Sequence, residues 1–200
     1  MSIVQVPITG IDMAYWAELI GDTPPADAST PGVAEYGAPK LLPALVSATL
    51  AMNSQTGNYW ASNVIQATAA QLGDMTLSLQ APQVPSDVLA KWYGWDYEGN
   101  VLRGTQMNPI DMAFGYRLTF SDKHHLYVWV LKVKPGAADL AGSTKTSSIN
   151  FQDGTIPCAV SMRFADGLHM ISVDDSNPPS GKAADEIEQN FFTDPNWALQ

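Results

Sequence analysis

Residues 112–120 read MAFGYRLTF, and residues 126–133 read LYVWVLKV. In the first stretch large apolar residues alternate with small or polar ones, a period of two that is typical of a β-strand with one buried face. The second stretch is apolar on both faces, and the turn-forming residues 121–123 separate the two. The sequence therefore predicts an amphipathic strand joined by a hairpin to a strand that is covered on both sides.

The same alternation predicts further strands at residues 13–21, 45–52, 74–81 and 156–164. Pro85 leads a helical pattern over 86–93, with Ser86 or Asp87 as its N-cap and Gly94 at its end, and a second helical pattern covers 183–192. We expect a mainly β, β-sandwich-like or barrel-like fold with a flanking α-helix, formed by residues 1–200 as one domain. Its long loops are expected near residues 22–39, 53–72, 135–147 and 174–182.

The composition excludes several classes of protein. Twenty acidic residues face ten basic ones, for a formal net charge of −10, and the bases are scattered singly. Such a chain lacks the clustered cations that grip nucleic acid. The single cysteine, Cys158, cannot form an intrachain disulfide and is expected to be a small buried side chain. No segment has the ~18 apolar residues that a membrane span needs, and residues 1–10 do not resemble a signal peptide.

The polar residues do not form a recognisable reaction centre. His124 and His125 are adjacent, and neighbours in a strand point to opposite faces, so they are not expected to share a metal ion. Asp174, Asp175 and the acidic residues at 185–188 are interpreted as a solvated charge run. No phosphate-binding glycine loop or nucleophile elbow is present. We expect neither catalysis nor a cofactor.

Several short segments, in order along the chain, resemble the major tail proteins of long-tailed bacteriophages, which form the tail tube. The resemblance rests on the order of these segments, and it covers almost the whole chain. The segments are IDMAYW at 11–16, YGAPKL at 36–41, GDMTLSL at 73–79, VPSDVLAKWYG at 84–94, AFGY at 113–116, YVWVLK at 127–132, SINFQ at 148–152 and TI at 155–156.

The resemblance implies a β-sandwich-like subunit that assembles with itself into hexameric rings, which stack into a hollow tube in the virion. Genomic DNA would pass through the lumen without specific binding. The resemblance also implies assembly in the host cytoplasm and contacts with tail terminator, tail tip and tape measure proteins, with no membrane partner. The acidic balance fits a channel along which DNA slides.

Two sets of residues are candidates for this role. The candidate lumen-facing side chains are the polar ones of the two cleanest strands: Ser47, Thr49, Thr76, Ser78 and Gln80. The loop expected at 53–72 is long and polar, and by resemblance it reaches a neighbouring subunit or ring. Its candidate inter-subunit contacts are Asn53, Tyr59, Trp60, Asn63 and Gln66.

A second hypothesis is a carbohydrate-binding β-sandwich module of a phage or cell-surface protein. Ten per cent of the residues are aromatic, six of them tryptophans, and exposed aromatic rings can serve as sugar platforms. Three of the tryptophans, Trp16, Trp92 and Trp129, fall within apolar patterns, where we expect core positions.

Overall fold

The structure is a computed structural model that describes residues 7–27, 30–61, 64–82, 84–138 and 153–200; the side chains of residues 59–67 lie outside this description. In these described residues the fold is mainly β, with a large antiparallel sheet and two α-helices, as the sequence predicts. The strands are β1 (Ile8–Thr23), β2 (Val33–Tyr36), β3 (Lys40–Leu41), β4 (Ser47–Ala61), β5 (Val64–Ala81), β6 (Asp96–Glu98), β7 (Val101–Arg103), β8 (Met112–Phe120), β9 (His125–Pro135), β10 (Gly154–Val160) and β11 (Met170–Asp174). The helices are α1 (Ser86–Tyr93) and α2 (Ala184–Asn190).

The main sheet has the order β2-β1-β8-β9-β10-β5-β4, with β3 also paired to β1 and β11 to β9. Strand β9 changes partner along its length: residues 126–130 pair with β11, and residues 133–135 pair with β10. Side chains of β5 and β10 pack with side chains of β8 and β9 in one apolar cluster. The sheet is therefore folded over itself in the manner of a β-sandwich.

The central strands β8 and β9 are buried on both faces. Phe114 and Val130 belong to the cluster shared with β5, β10 and α1, whereas Trp129 and Leu131 pack on the other side against residues of α2 and the segment after it. The prediction that β9 is covered on both sides is confirmed. The prediction that β8 has one exposed face is wrong, because residues 112–117 are all buried.

Small residues explain this burial of β8. A Cβ atom built on Gly115 would lie 2.8 Å from the ring of Trp129, which is the cross-strand partner of Gly115. The second face of β8 therefore carries small residues because a neighbouring indole covers it, whereas the alternation by itself predicts a solvent-exposed face.

Helix α1 has the predicted bounds and ends at Gly94, which adopts a left-handed conformation with a φ of 66°. Its N-cap is Pro85, without a side-chain hydrogen bond, rather than Ser86 or Asp87. Trp16 and Trp92 are core residues, as predicted, and so is Cys158. Burial raises the pKa of the Cys158 thiol to about 12.

Three predicted boundaries are wrong. The first strand is longer than expected and runs from Ile8 to Thr23, and the loop expected at 22–39 contains β2. The strand expected at 156–164 ends at Val160, beyond which Met162 and Phe164 are exposed. Residues 139–152, which include most of the loop expected at 135–147 and the segment SINFQ, lie outside the described residues.

A buried charge pair holds the chain that follows β10. Lys132 Nζ lies 2.7 Å from Asp22 Oδ2, and both side chains are at most 10% exposed. Asp22 also accepts hydrogen bonds from the backbone N–H groups of Phe164 and Ala165. Burial alone would raise the pKa of Asp22, but these donors outweigh it and hold the pKa below its usual value. The chain after β10 therefore turns toward β1 instead of continuing as a strand.

Candidate assembly surfaces

Strands β4 and β5 form a hairpin that extends well beyond the end of the neighbouring strand β10. Strand β10 pairs with β5 only over residues 75–81, whereas β4 and β5 continue to pair with each other out to Ala61 and Val64. We call residues 53–61 and 64–73 the arm. At ~3.3 Å per residue, the nine residues of its first strand span roughly 30 Å. Side chains 51–58 and 68–72 are all exposed, so the arm is solvated on both faces along this length.

No described strand pairs with the outer edge of β4, which we call the open edge. The sheet order ends at β4, and in the part of the chain that the structure describes β5 is its only partner. Proteins usually protect such an edge with charged residues or proline. Residues 41–73 contain no Asp, Glu, Lys, Arg or His, and β4 contains no proline. Two register shifts in the hairpin, at residues 52–54 and 59–60, are the only protective feature seen along β4 in the described region.

The arm corrects the expectation of a loop at 53–72. Period-two alternation marks a strand with one buried face, and a ribbon exposed on both faces needs no apolar residue at every second position. Asn53 lies at the base of the arm, where its side-chain amide donates to the carbonyl of Asp74. The backbones of Tyr59, Trp60 and Gln66 belong to the arm, but their side chains, and the whole of Asn63, lie outside the described residues.

Two sequence signals indicate the arm in retrospect. One is the run of 33 uncharged residues from 41 to 73, which is long for a chain that has 20 acidic and ten basic residues among 200. The other is a set of residues with high strand propensity on both sides of Gly57 and Asn58. These strand formers are Thr56, Tyr59, Trp60, Val64, Ile65 and Thr68.

The candidate lumen residues share one solvent-facing surface. On β5, Met75, Leu77 and Leu79 are buried, and the side chains between them face the other way. Cross-strand pairing aligns these outward side chains with those of β4, β10 and the end of β9. We call this surface the hydroxyl face: Ser47, Thr49, Ala51, Thr76, Ser78, Gln80, Lys134, Thr155, Pro157 and Ala159.

The hydroxyl face is close to neutral. Lys134 is its one charged member, and Lys134 Nζ lies 3.2 Å from Oδ1 of Asp111. Carboxylates lie at the border: Asp74 is exposed next to the arm, and Asp153 accepts a hydrogen bond from Gln80 at 3.4 Å. Hydroxyl groups and small side chains, not a row of acids, make up this surface.

The adjacent histidines, His124 and His125, contact separate carboxylates. His125 donates its backbone N–H to Asp175 Oδ1 at 2.8 Å, and its ring Nδ1 lies 3.0 Å from Asp175 Oδ2. His124 contacts Asp122, and its Nε2 lies 3.9 Å from Asp174. Asp174 and Asp175 are thus tied to the turn between β8 and β9, which corrects their interpretation as a solvated charge run. The described residues hold no group of three or more His, Cys, Asp or Glu placed for a metal ion.

Arg117 joins the sheet to α2. Its guanidinium makes a paired contact with the carboxylate of Asp12, at 2.8 and 2.6 Å, and a third hydrogen bond to Glu188 at 3.1 Å. The Arg117 hydrogen bonds lower the pKa of Asp12. Glu188 therefore positions α2 on the sheet, whereas Glu186 accepts from the backbone N–H of Ala183 and caps the helix.

One concave surface formed by the described residues is an open groove of about 490 Å³ between β2 and residues 193–196. Glu35 and Asp194 line it, and no histidine, lysine or cysteine does. The tryptophan side chains that the structure describes are buried or partly buried. Among the described residues, no helix is long and apolar enough to span a membrane.

No protein-family model matches this chain. No curated protein sequence matches it either.

Proposed function

We propose that this chain is a self-assembling structural protein, the major tail tube protein of a long-tailed bacteriophage. Copies associate side by side into hexameric rings, the rings stack, and the genome passes through the hollow tube. The order of the sequence segments that resemble this family supports the proposal. The β-sandwich-like fold is compatible with it, and the surfaces of the sheet supply physical reasons for self-association.

One observation carries the proposal: the open, uncharged edge of β4 and the arm that extends it. An isolated two-stranded ribbon is marginal in water, because its hydrogen bonds barely offset the entropy of ordering it. A neighbouring copy would pair with the unpaired backbone groups of this edge. Such an arrangement would also cover Met52 and Leu72, which are 59% and 48% exposed at the base of the arm. Because β4 would meet a different surface of its neighbour, the contact is heterologous and closes into a ring when the rotation allows.

The hydroxyl face is the wall we assign to the channel. Side chains that are short, neutral and hydrated offer no fixed cation to a phosphate, so DNA slides along them. All five candidate lumen residues, from Ser47 to Gln80, lie on this face. The net charge of −10 adds a general repulsion for DNA over the rest of the subunit. The location in the virion and the contacts with terminator, tip and tape measure proteins rest on the resemblance alone.

Electron microscopy tests the proposal directly. Purified protein, concentrated to a millimolar level and imaged in negative stain, is expected to form rings with a central hole or tubes of stacked rings. Hydrogen exchange on the same samples should slow at the amides of the arm once tubes have formed. A chain that stays monomeric by light scattering at these concentrations, with unchanged exchange in the arm, would contradict the proposal.

The carbohydrate-binding alternative makes a different prediction. It requires exposed aromatic rings on a rigid surface, and Trp16, Trp92 and Trp129 are core residues. Monomeric protein that binds sugars on a glycan array and never assembles would favour this alternative. We therefore place it second.

A further inference from the structure

Lys134 occupies an exceptional place on the hydroxyl face. It is the cross-strand partner of Ala159, which pairs in turn with Thr76, and Thr76 pairs with Ala51. All four side chains are exposed, so one row across four strands carries a single cation. A cation in this row would repeat in each subunit of a ring and in each ring of a tube.

Asp111 is placed to neutralise that cation. Its Oδ1 lies 3.2 Å from Lys134 Nζ, with 34% of the Asp111 side chain and 52% of the Lys134 side chain exposed. The backbone of Asp111 is held in place, because its carbonyl accepts a hydrogen bond from the N–H of Leu19 at 2.9 Å. The carboxylate therefore comes from a fixed position next to β8 rather than from a free loop.

This pair contributes little to the stability of the subunit. Half-exposed ion pairs are only weakly stabilising, because water and salt screen them. The electrostatic effect on a passing polyanion is larger, since a narrow channel focuses the field of its wall and each unmasked lysine offers a phosphate contact.

Resting on the proposed function, we infer that Asp111 is a charge-masking residue that keeps Lys134 from holding DNA on the channel wall. The molecule kept from Lys134 is the phosphate backbone of the transported genome, and the role of Asp111 is to prevent that binding. Removing the carboxylate would change a wall that DNA slides along into one with a repeated ring of phosphate-binding cations.

The test compares tubes of the wild-type protein with tubes of Asp111→Asn, using a fluorescent 20-base-pair DNA duplex that cosediments when retained. At about 50 mM salt, Asp111→Asn tubes are expected to retain roughly tenfold more duplex than wild-type tubes, and to lose it by about 200 mM as counterions compete. The double variant Asp111→Asn/Lys134→Gln should return to the wild-type level.

A matched control removes the carboxylate of a different ion pair. Glu18 lies 2.6 Å from Lys91, and neither residue belongs to the hydroxyl face, so Glu18→Gln makes the same change in charge at another ion pair. Equal retention by Glu18→Gln and Asp111→Asn would overturn the inference, since net charge alone would explain the result. So would retention by Asp111→Asn tubes at the wild-type level, or loss of assembly in Asp111→Asn, which would make Asp111 a structural residue. A wild-type protein that forms no rings or tubes is a separate failure, that of the proposed function.

Discussion

The β8–β9 pair and the β4–β5 arm are both antiparallel strand pairs, but the side chains of the first are buried and those described in the second are exposed. Met112, Phe114 and Val130 are fully buried, and both faces of β8 and β9 are covered. In the arm, the described side chains at 53–58 and 68–72 are all exposed. Regular strand structure therefore does not reveal where the free energy of folding comes from.

The energies of the two regions differ accordingly. Burying one large apolar side chain stabilises a protein by about 1.5–3 kcal/mol, and β8 and β9 bury many of them. A backbone hydrogen bond nets about 0.5–1.5 kcal/mol, while ordering a residue costs about 1–2 kcal/mol. The arm therefore gains little by itself, and its natural source of stability is contact with another molecule. The core folds the subunit, and we assign the arm to assembly.

The largest effect is expected from a charge in the core. Leu77→Asp places a carboxylate at a position with no exposed surface, and we expect the variant not to fold, because the cost approaches the whole stability of about 5–15 kcal/mol. Circular dichroism and solubility measure this. Thr76→Asp, one residue away on the exposed face, is the control and should fold normally. A soluble, cooperatively folding Leu77→Asp protein would show that the faces of β5 are assigned backwards.

Glycine substitutions compare the two regions next. Gly115→Ala should lower the free energy of unfolding by about 1–3 kcal/mol, because its new Cβ would lie 2.8 Å from the Trp129 ring. In the arm, no atom lies within 4 Å of the same position on Gly57, so Gly57→Ala should change stability by less than about 0.5 kcal/mol. Urea unfolding measures both. Equal effects at the two sites would mean that the arm is packed as tightly as the core.

The buried pair between Asp22 and Lys132 predicts a pH-dependent difference. Because the pKa of Asp22 is lowered in the fold, its contribution is present at neutral pH and is lost as the pH falls below about 4 and through the folded pKa. Asp22→Asn should therefore be less stable than wild type by about 1–3 kcal/mol at pH 7, with the gap closing toward pH 2. Urea unfolding at both values tests this, and a gap that widens on acidification would contradict it.

The smallest effect on the subunit, and the largest on assembly, is expected in the arm. Thr56→Lys should leave the stability of the monomer within about 0.5 kcal/mol, because the side chain is exposed, yet it should prevent tube formation by placing a charge on the open edge. Gln189→Lys, on an exposed position of α2, adds the same charge elsewhere and should assemble normally. Tubes formed equally well by both variants would remove the edge of β4 from the contact.

The sequence predicted the parts of the fold in which local pattern and burial agree. Strand β8 and helix α1 have the predicted bounds, because alternation marks the first and Pro85 and Gly94 delimit the second. It failed where a contact distant in the chain decides the outcome. Arg163 is 2% exposed in a stretch predicted as strand, because Tyr36 and Asn196 accept its hydrogen bonds there.

The candidate surfaces were predicted in the same uneven way. Alternation along β4 and β5 predicts their outward face, so it assigns the five candidate lumen residues to one surface. The rest of the hydroxyl face, including Lys134 and its partner Asp111, depends on which strands become neighbours. Alternation did not indicate the arm, because alternation marks a strand with a buried side, and the described side chains at 53–58 and 68–72 are exposed.

The sequence by itself determined that the protein is mainly β and that its basic residues form no cluster for binding DNA. It also determined, through alternation, whether the odd-numbered or the even-numbered side chains of a strand face the core. Only the tertiary structure decided that β8 is buried on both faces, that 53–72 is an extended ribbon, and that β4 is left at the edge of the sheet. The physical reason is range: side-chain periodicity is set by neighbours along the chain, whereas strand order and the burial of a second face depend on residues far away in sequence.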